Sequence, residues 1–269
     1  MVPTELRVVS LLPAATEIIC LLNAERRLVG RSHECNHPHN LPQPVLTSPT
    51  LDTQHTHADA HDIDDAVRKQ SRDGKPLYKI DATLVRRLEP DVIITQDLCQ
   101  VCAIDAQTVE RVCASIRPQP KVVSLDPMSL DDVLDCVLTV GDAIGLPAVA
   151  RAARAALARR VAAVDRCVSA RPSTVPAPRV GFVEWPEPLY VGGHWTPELI
   201  ERAGGRHPIN PGGSKSIVVE PEALVEMDPD LIILAPCGLN LEATRREAAK
   251  LARRPWWRSL RAVQTGRVV

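Results

Sequence analysis

The sequence predicts an α/β protein of two lobes, each with a parallel central sheet, joined by one long helix. Three observations lead to this prediction. Short apolar runs alternate with amphipathic segments, the two halves contain similar segments in the same order, and an uninterrupted helical pattern lies between them. We therefore assign residues 1–146 to an N-terminal lobe, 147–170 to a connecting helix and 171–269 to a C-terminal lobe.

The connecting helix has apolar residues at steps of three or four and no internal Gly or Pro after its first residue. Pro147 suits the first turn, because the first N–H groups of a helix have no partner within it. Pro172 follows its end. A helix of this length extends roughly 35 Å, which is enough to cross a small domain.

The other elements follow from apolar runs bounded by turn residues. In the first lobe we expect strands at 7–12, 28–30, 91–95 and 121–125, with helices from about 15 and at 63–72, 82–88, 104–115 and 129–144. Residues 31–62 are expected to be mostly loop. In the second lobe we expect strands at 179–183 and 230–234, helices at 197–203, 220–227 and 242–253, and the start of a strand at 266–269.

The two halves repeat a short pattern. LEPDVII at 88–94 matches MDPDLII at 227–233, and RVV at 7–9 matches RVG at 179–181. In open parallel sheets, ligands bind beyond the carboxyl ends of the strands. The loops expected there are 12–16, 31–39, 96–103, 184–195 and 235–240, and they contain most of the unusual residues.

Composition excludes several classes of protein. The formal net charge of −1 gives no indication of a nucleic-acid partner or an acidic membrane surface. Eight cysteines are too few for a disulfide scaffold and fit a reducing compartment. The apolar run at 8–22 is interrupted by Pro13, Thr16 and Glu17, unlike a signal peptide, and no run reaches the roughly 20 residues of a membrane span. We expect a soluble monomer, cytoplasmic as written and periplasmic if an export signal is missing.

Five segments carry a resemblance to a known family: RVVSLLPAATEIICLL, RLVGRSHECNHP, LEPDVIITQ, HWTPELIERAGG and MDPDLIILAPCG. Over essentially the entire chain, the sequence resembles the cobalamin and iron-siderophore substrate-binding proteins of ABC importers. It is most similar to members that also carry SHEC, DLCxVCA and APCG. The resemblance implies two α/β lobes joined by a rigid helix, a corrinoid or related metal chelate held in the cleft between them, and no catalysis.

The loops at the strand ends supply the candidate ligand-binding residues. Aromatic residues are scarce in this chain, so a cluster of them in the 184–195 loop indicates either a flat wall for a planar ligand or a hydrophobic plug that holds the loop down. The first helix could also offer its free N–H groups to an anionic group. The candidates are Pro13, Ala14, Ala15, Thr16, His33, Glu34, Gln96, Asp97, Trp185, Tyr190, His194, Trp195, Pro236 and Gly238.

Four cysteines lie in the same loops: Cys35, Cys99, Cys102 and Cys237. Thiolates with nearby His or carboxylate groups could hold zinc or iron, and the CxxC pair at 99–102 could instead be redox-active or ordinary packing. We expect these four thiols to converge in space. The alternative function is accordingly a cytoplasmic metalloprotein or thiol enzyme. Cysteines in helical patterns, namely Cys20, Cys113, Cys136 and Cys167, are expected to be buried.

The resemblance also implies a docking surface for an ABC permease. In the family, each lobe presents a glutamate at the start of the helix before its Pro-Asp strand. Glu222 occupies that position in the second lobe. The same offset in the first lobe gives Thr83, with Asp81 nearby.

Overall fold

The computed structural model describes residues 5–51, 59–96 and 106–269. Among the predicted site residues, Asp97, Cys99 and Cys102 lie outside these ranges. The described residues form two compact units. The first contains 5–51, 67–96, 106–127 and 131–158, and the second contains 59–66, 128–130 and 159–269.

The elements follow in chain order. Before the second half of the chain they are β1 Val8–Ser10, α1 Pro13–Leu21, a 3₁₀ turn Glu25–Arg27, β2 Leu28–Arg31, β3 Thr47–Pro49, α2 Ala60–Arg72, β4 Tyr78–Ile80, α3 Ala82–Arg87, β5 Val92–Thr95, α4 Ala106–Cys113, β6 Lys121–Ser124, α5 Leu130–Ala143 and α6 Pro147–Ser169. They continue with β7 Val180–Pro186, β8 Leu189–Val191, α7 Thr196–Arg202, β9 Ile217–Val218, α8 Pro221–Met227, β10 Leu231–Leu234, α9 Leu241–Leu251, α10 Pro255–Ser259 and α11 Arg261–Gln264.

The long central helix is confirmed. α6 begins at Pro147 as predicted and ends one residue before the predicted position. Its residues are divided between the two units at 158/159. No helix in the parts of the chain that the structure describes is long and apolar enough to cross a membrane.

The central sheet of the first unit has the order β2-β1-β5-β6, and every neighbouring pair is parallel, as predicted. Successive side chains of a strand point to opposite faces. Accordingly, Val8 and Ile94 belong to one apolar cluster, whereas Val9 and Ile93 belong to another. All four are fully buried. The sheet is therefore covered on both faces, which is typical of α/β proteins.

A second, two-stranded sheet in the first unit was not expected. β3 pairs antiparallel with β4, so that Thr47 lies opposite Ile80 and Pro49 opposite Tyr78. The prediction of loop for 31–62 is wrong for β3 and for the beginning of α2, which starts at Ala60. A strand of three residues is too short to show the alternation of apolar and polar residues by which strands are predicted. The partner strand lies about 30 residues away in the sequence, so the neighbouring residues give no indication of the pairing either.

The sheet of the second unit is mixed. Its order is β10-β7-β8-β9, with a parallel β7–β10 pair extended by two antiparallel strands. The prediction of loop for 184–195 is wrong for the end of β7 and for β8. At the C-terminus, Val269 N–H donates to Ile232 O at 2.9 Å, which confirms the extended segment predicted there.

The repeated sequence builds the same structure twice. Arg7 N–H donates to Asp91 Oδ2 at 2.7 Å, and Asp91 N–H donates back to Arg7 O at 2.8 Å. Arg179 and Asp230 make the equivalent two bonds, each at 2.8 Å. The residue before each proline of the repeat has positive φ, 41° at Glu89 and 43° at Asp228. The Pro-Asp motif therefore fixes where each parallel pair of strands begins.

Asp228 also anchors the C-terminal helices of the second unit. Its Oδ2 accepts hydrogen bonds from Arg261 Nη2 at 2.6 Å and Arg261 Nε at 3.0 Å, and Arg179 Nη2 lies 3.4 Å away. The hydrogen bonds from Arg261 hold the pKa of the Asp228 carboxyl below its usual range. Because the folded-state pKa is depressed, this contribution to stability is complete above the unfolded pKa of about 3.9 and is lost as the pH falls through the folded value.

We expect Asp228→Asn to lower the melting temperature at pH 7, and this decrease to become smaller as the pH falls below the unfolded pKa of about 3.9. Asn tolerates positive φ as well as Asp does, so the substitution removes the charge without straining the backbone. Thermal denaturation from pH 2.5 to 7 measures the difference. Asp142→Asn, at an exposed position of α5, serves as the matched control. If Asp228→Asn lowers the melting temperature by the same amount at every pH, the ion pair is not the cause of the decrease.

Candidate functional site

In the first unit, β1 turns directly into α1 at the carboxyl end of the sheet. Pro13 is the first residue of α1 and is partly exposed, and Ala14 is exposed. Ala15 and Thr16 are fully buried. Of the four residues that were predicted at this helix start, Pro13 and Ala14 are the two whose side chains have surface available to a ligand.

A buried chain of hydroxyl and thiol groups lies beneath this helix start. Ser10 Oγ donates to Leu12 O at 2.9 Å, which uses the only proton of Ser10. Ser10 Oγ therefore accepts from Thr16 Oγ1, 2.8 Å away. The same Thr16 hydroxyl can turn its proton to Cys35 Sγ, 3.1 Å away, and the Cys35 S–H group points to Ser10 O at 4.0 Å. Every member of this chain is satisfied within the protein.

The environment of Cys35 favours the neutral thiol. Its residue is 1 % exposed, and burial raises the pKa of the thiol, although the bond to Thr16 opposes this effect. The thiolate is the form that binds metals and reacts. Cys35 is thus placed as a structural group that connects the loop after β2 to α1.

His33 and Glu34 precede Cys35 in the loop after β2. His33 N–H donates to Thr47 Oγ1 at 3.0 Å, and His33 Nδ1 lies 2.6 Å from the same oxygen. Thr47 Oγ1 in turn lies 3.0 Å from Ser32 Oγ, and Ser32 Oγ accepts from Glu34 N–H at 3.2 Å. The His33 ring contacts the ring of Tyr78, with centroids 5.5 Å apart. The loop is therefore held by side chains of β3 and β4.

On the other side of the ring, His33 Nε2 lies 3.2 Å from Glu34 Oε1. This polar contact outweighs the opposing effect of burial and holds the pKa of the Glu34 carboxyl below its usual range. Glu34 is consequently ionised at neutral pH. Its side chain is 43 % exposed, whereas that of His33 is 15 % exposed.

Gln96, the other predicted residue of the first unit that the structure describes, directly follows β5 and is partly buried. It lies at the same edge of the sheet as Pro13 and His33, because β1, β2 and β5 run parallel.

In the second unit, Trp185 and Tyr190 lie on strands rather than in a loop. They form a register pair between β7 and β8, so their side chains share one face of the hairpin. Both side chains are partly exposed. Trp185 Nε1–H is shared between Ala60 O at 3.1 Å and Glu187 O at 3.0 Å. The ring of Trp185 thus has a fixed orientation and a surface that remains accessible.

His194 and Trp195 follow β8 and lead into α7. Their ring centroids are 6.0 Å apart, and His194 has a positive φ of 52°. Gly193 is required before them, because a Cβ there would lie 2.3 Å from Ser216 N. The fully buried amide of Asn210 donates to Gly192 O at 3.1 Å and to Lys215 O at 2.9 Å, which holds this loop against the next one.

The loop after β10 contains the remaining predicted residues. Pro236 is buried, whereas Cys237 and Gly238 are exposed, and Gly238 has a positive φ of 79°. Cys237 N–H donates to Glu184 O at 3.2 Å, so this loop is bonded to β7. Glu184 also accepts from Ser216 Oγ at 2.8 Å. The edge of the second unit is thus formed by β7 and three adjoining loops.

The predicted convergence of four cysteines remains a prediction. Cys35 is buried in the first unit, Cys237 is exposed in the second, and Cys99 and Cys102 lie outside the described residues. Within residues 5–51, 59–96 and 106–269, no group of three or more His, Cys, Asp or Glu side chains is placed to hold a metal ion.

Among the cysteines in helices, Cys113 is fully buried as expected, and Cys20 and Cys136 are partly buried. Cys167 is exposed, so the expectation of burial is wrong there. It lies near the end of α6, whose residues other than Ala150 are all partly or fully exposed.

Several residues that shape these edges were not found from the sequence. Ser32 and Thr47 hold His33, and Asn210 and Ser216 hold the loop around His194. Small polar residues are frequent in any chain, so the sequence does not distinguish the few that position other side chains, and only their burial and hydrogen bonds in the structure do so. Ser32 is part of the SHEC segment, and its position beside His33 is the one signal that the sequence offers.

Glu222 lies in the first turn of α8 and is exposed, as docking would require. Thr83 occupies the same second position of α3 and is also exposed. Asp81 caps α3, with its Oδ1 accepting from Leu84 N–H at 2.8 Å.

A family model described as periplasmic binding protein matches residues 8–269. The chain belongs to the periplasmic binding protein family. This result agrees with the two α/β units and with the resemblance of the whole sequence to substrate-binding proteins of ABC importers. No curated protein matches the chain significantly.

Solved structures share the fold over nearly the full length. The haem-binding protein HutB of Vibrio cholerae matches with a TM-score of 0.71 and 20 % identity over 99 % of this chain and 89 % of that chain. The haem-binding protein RhuT of Roseiflexus sp. RS-1 gives 0.70 and 20 % over 99 % and 89 %. The vitamin B12-binding protein BtuF of Vibrio cholerae gives 0.64 and 17 % over 98 % and 86 %.

Cysteine labelling tests the placement of Cys35 in this family member. We expect an alkylating reagent at pH 8 to label the exposed Cys167 rapidly and to leave Cys35 unlabelled until the protein is unfolded. Peptide mass spectrometry before and after addition of guanidinium chloride measures both sites in one sample, so Cys167 is the internal control. Fast native labelling of Cys35 would contradict its buried, hydrogen-bonded position.

Proposed function

We propose that this protein binds a corrinoid, or a related metal chelate, without catalysing a reaction. The observation that carries the proposal is the distribution of aromatic side chains. Both tyrosines and two of the four tryptophans of the chain lie at the carboxyl-end edges of its two units or in contact with them. Flat, partly exposed rings suit a planar macrocycle.

Membership of the family and the fold shared with proteins named for haem and vitamin B12 support this ligand class. Between the two, the charge of Glu34 favours the corrinoid. A haem carries carboxylate side chains, whereas the corrin ring carries amides. An ionised, half-exposed Glu34 can accept hydrogen bonds from amides and repels carboxylates.

The buried, neutral thiol of Cys35 does not favour the alternative of a cytoplasmic metalloprotein or thiol enzyme. That alternative therefore depends on Cys99, Cys102 and Cys237. For the ligand-binding function, we propose a periplasmic location, in keeping with the description of the family. The exposed Glu222 is the residue we propose for docking to an ABC permease.

The proposal predicts a direct role for Trp185 and Trp195. We expect replacement of both by Ala to weaken binding of aquocobalamin by about 2 kcal/mol or more, roughly thirty-fold in Kd, because two aromatic contacts are lost. Isothermal titration calorimetry measures the affinity, and circular dichroism confirms the fold.

Two further variants serve as controls for that experiment. Trp185→Phe keeps a flat aromatic ring, although a smaller one, and removes the N–H that Ala60 and Glu187 share, so most of the affinity should remain. Trp256→Phe, beside the core residue Trp257, should bind as tightly as the wild type. Unchanged affinity in the double Ala variant would reduce Trp185 and Trp195 to loop packing and remove the main support for the proposal.

A further inference from the structure

The His33 ring is held in one orientation by the first unit. Thr47 Oγ1 lies 2.6 Å from Nδ1 and accepts the backbone N–H of the same residue, and the Tyr78 ring lies against the imidazole. Thr47 is 7 % exposed, and its partner Ser32 is 5 % exposed. Rotation of the His33 ring would break these contacts inside the protein, so the position of Nε2 is fixed.

Nε2 itself has no aligned hydrogen-bond partner and is fully buried as an atom. The Glu34 carboxylate lies directly against it, with Oε1 3.2 Å away. The Glu34 side chain is 43 % exposed and can rotate into solvent, whereas the imidazole cannot. Nε2 is therefore a fixed nitrogen beside a movable carboxylate.

This arrangement is that of a metal-ligating histidine. In such residues one ring nitrogen is bonded to an oxygen of the protein, which fixes the tautomer and orientation and leaves the lone pair of the other nitrogen for the metal. Two adjacent donors are too few to hold a bare ion, and the described residues contain no larger group. One nitrogen is sufficient for a metal that a chelate already holds at all but one position.

We propose that His33 Nε2 binds the metal centre of the ligand and that Glu34 rotates outward to admit it. This inference rests on the proposed function and narrows the substrate class to chelates with an exchangeable axial position. The Nε2 lone pair forms the bond to the metal, and one water molecule leaves the metal. A proton on Nε2, where present, passes to solvent, and no oxidation state changes.

The test compares aquocobalamin, whose axial water exchanges, with methylcobalamin, whose methyl group on that face does not. Wild-type protein is expected to shift the visible absorption bands of aquocobalamin and to bind it at least tenfold more tightly than methylcobalamin. His33→Ala should abolish the shift and bind the two compounds equally.

Variants of neighbouring residues distinguish a His33 that binds the metal from a His33 with a purely structural role. Glu34→Ala, which removes the carboxylate, should bind aquocobalamin several-fold faster in stopped-flow measurements and keep the spectral shift. His39→Ala, an exposed histidine of the same loop, should behave as the wild type. Because Glu34 is at the surface, Glu34→Ala provides a result even if His33 variants do not fold.

Three results would overturn the inference. They are an identical spectral shift in wild type and His33→Ala, equal wild-type affinities for the two cobalamins, and a Glu34→Ala variant that binds no faster. In each case retained binding leaves the proposed function intact. Failure of the wild type to bind any cobalamin or haemin rejects the proposed function and the inference together.

Discussion

Each unit of this protein depends on one carboxylate that fixes the start of its parallel strands. The carboxylates of Asp91 and Asp230 accept hydrogen bonds from the backbone N–H groups of Arg7 and Arg179, which directly precede the first strand of each unit. The backbone N–H of each aspartate donates in return to the carbonyl oxygen of the same arginine. The register that follows places Val8 opposite Val92 and Val180 opposite Leu231. Parallel strands that begin together also end together, so the loops of each unit that carry the candidate residues leave from one edge.

That constraint explains the distribution of polar groups in the first unit. At the end of β1, a buried chain of hydrogen bonds connects the side chains of Ser10, Thr16 and Cys35. A second such chain connects the side chains of Ser32, Thr47 and His33. Burying a hydroxyl without a partner costs on the order of 1–3 kcal/mol. The side chains within each chain are hydrogen-bonded to one another, and together they hold the SHEC loop in one conformation. The cysteine of that loop is thus used for packing, and its histidine and glutamate lie at the carboxyl-end edge of the sheet.

Much of the fold is predictable from the sequence because its signals are local or repeated. The pattern of α6 is long, and the Pro-Asp repeat by itself indicates two similar units. The short strands β3, β4 and β8 were missed, because three residues cannot show periodicity and their pairing depends on distant sequence. For the site, the strand-end rule selected His33, Glu34, Trp185 and Trp195. It could not find Thr47, whose role comes entirely from its pairing in β3.

Native mass spectrometry of the purified protein, alone and after incubation with aquocobalamin or haemin, tests the central claim most directly. Our account predicts a protein without bound metal that gains the mass of one intact chelate per chain. A protein that already holds stoichiometric zinc or iron, and that gains no chelate, would contradict it.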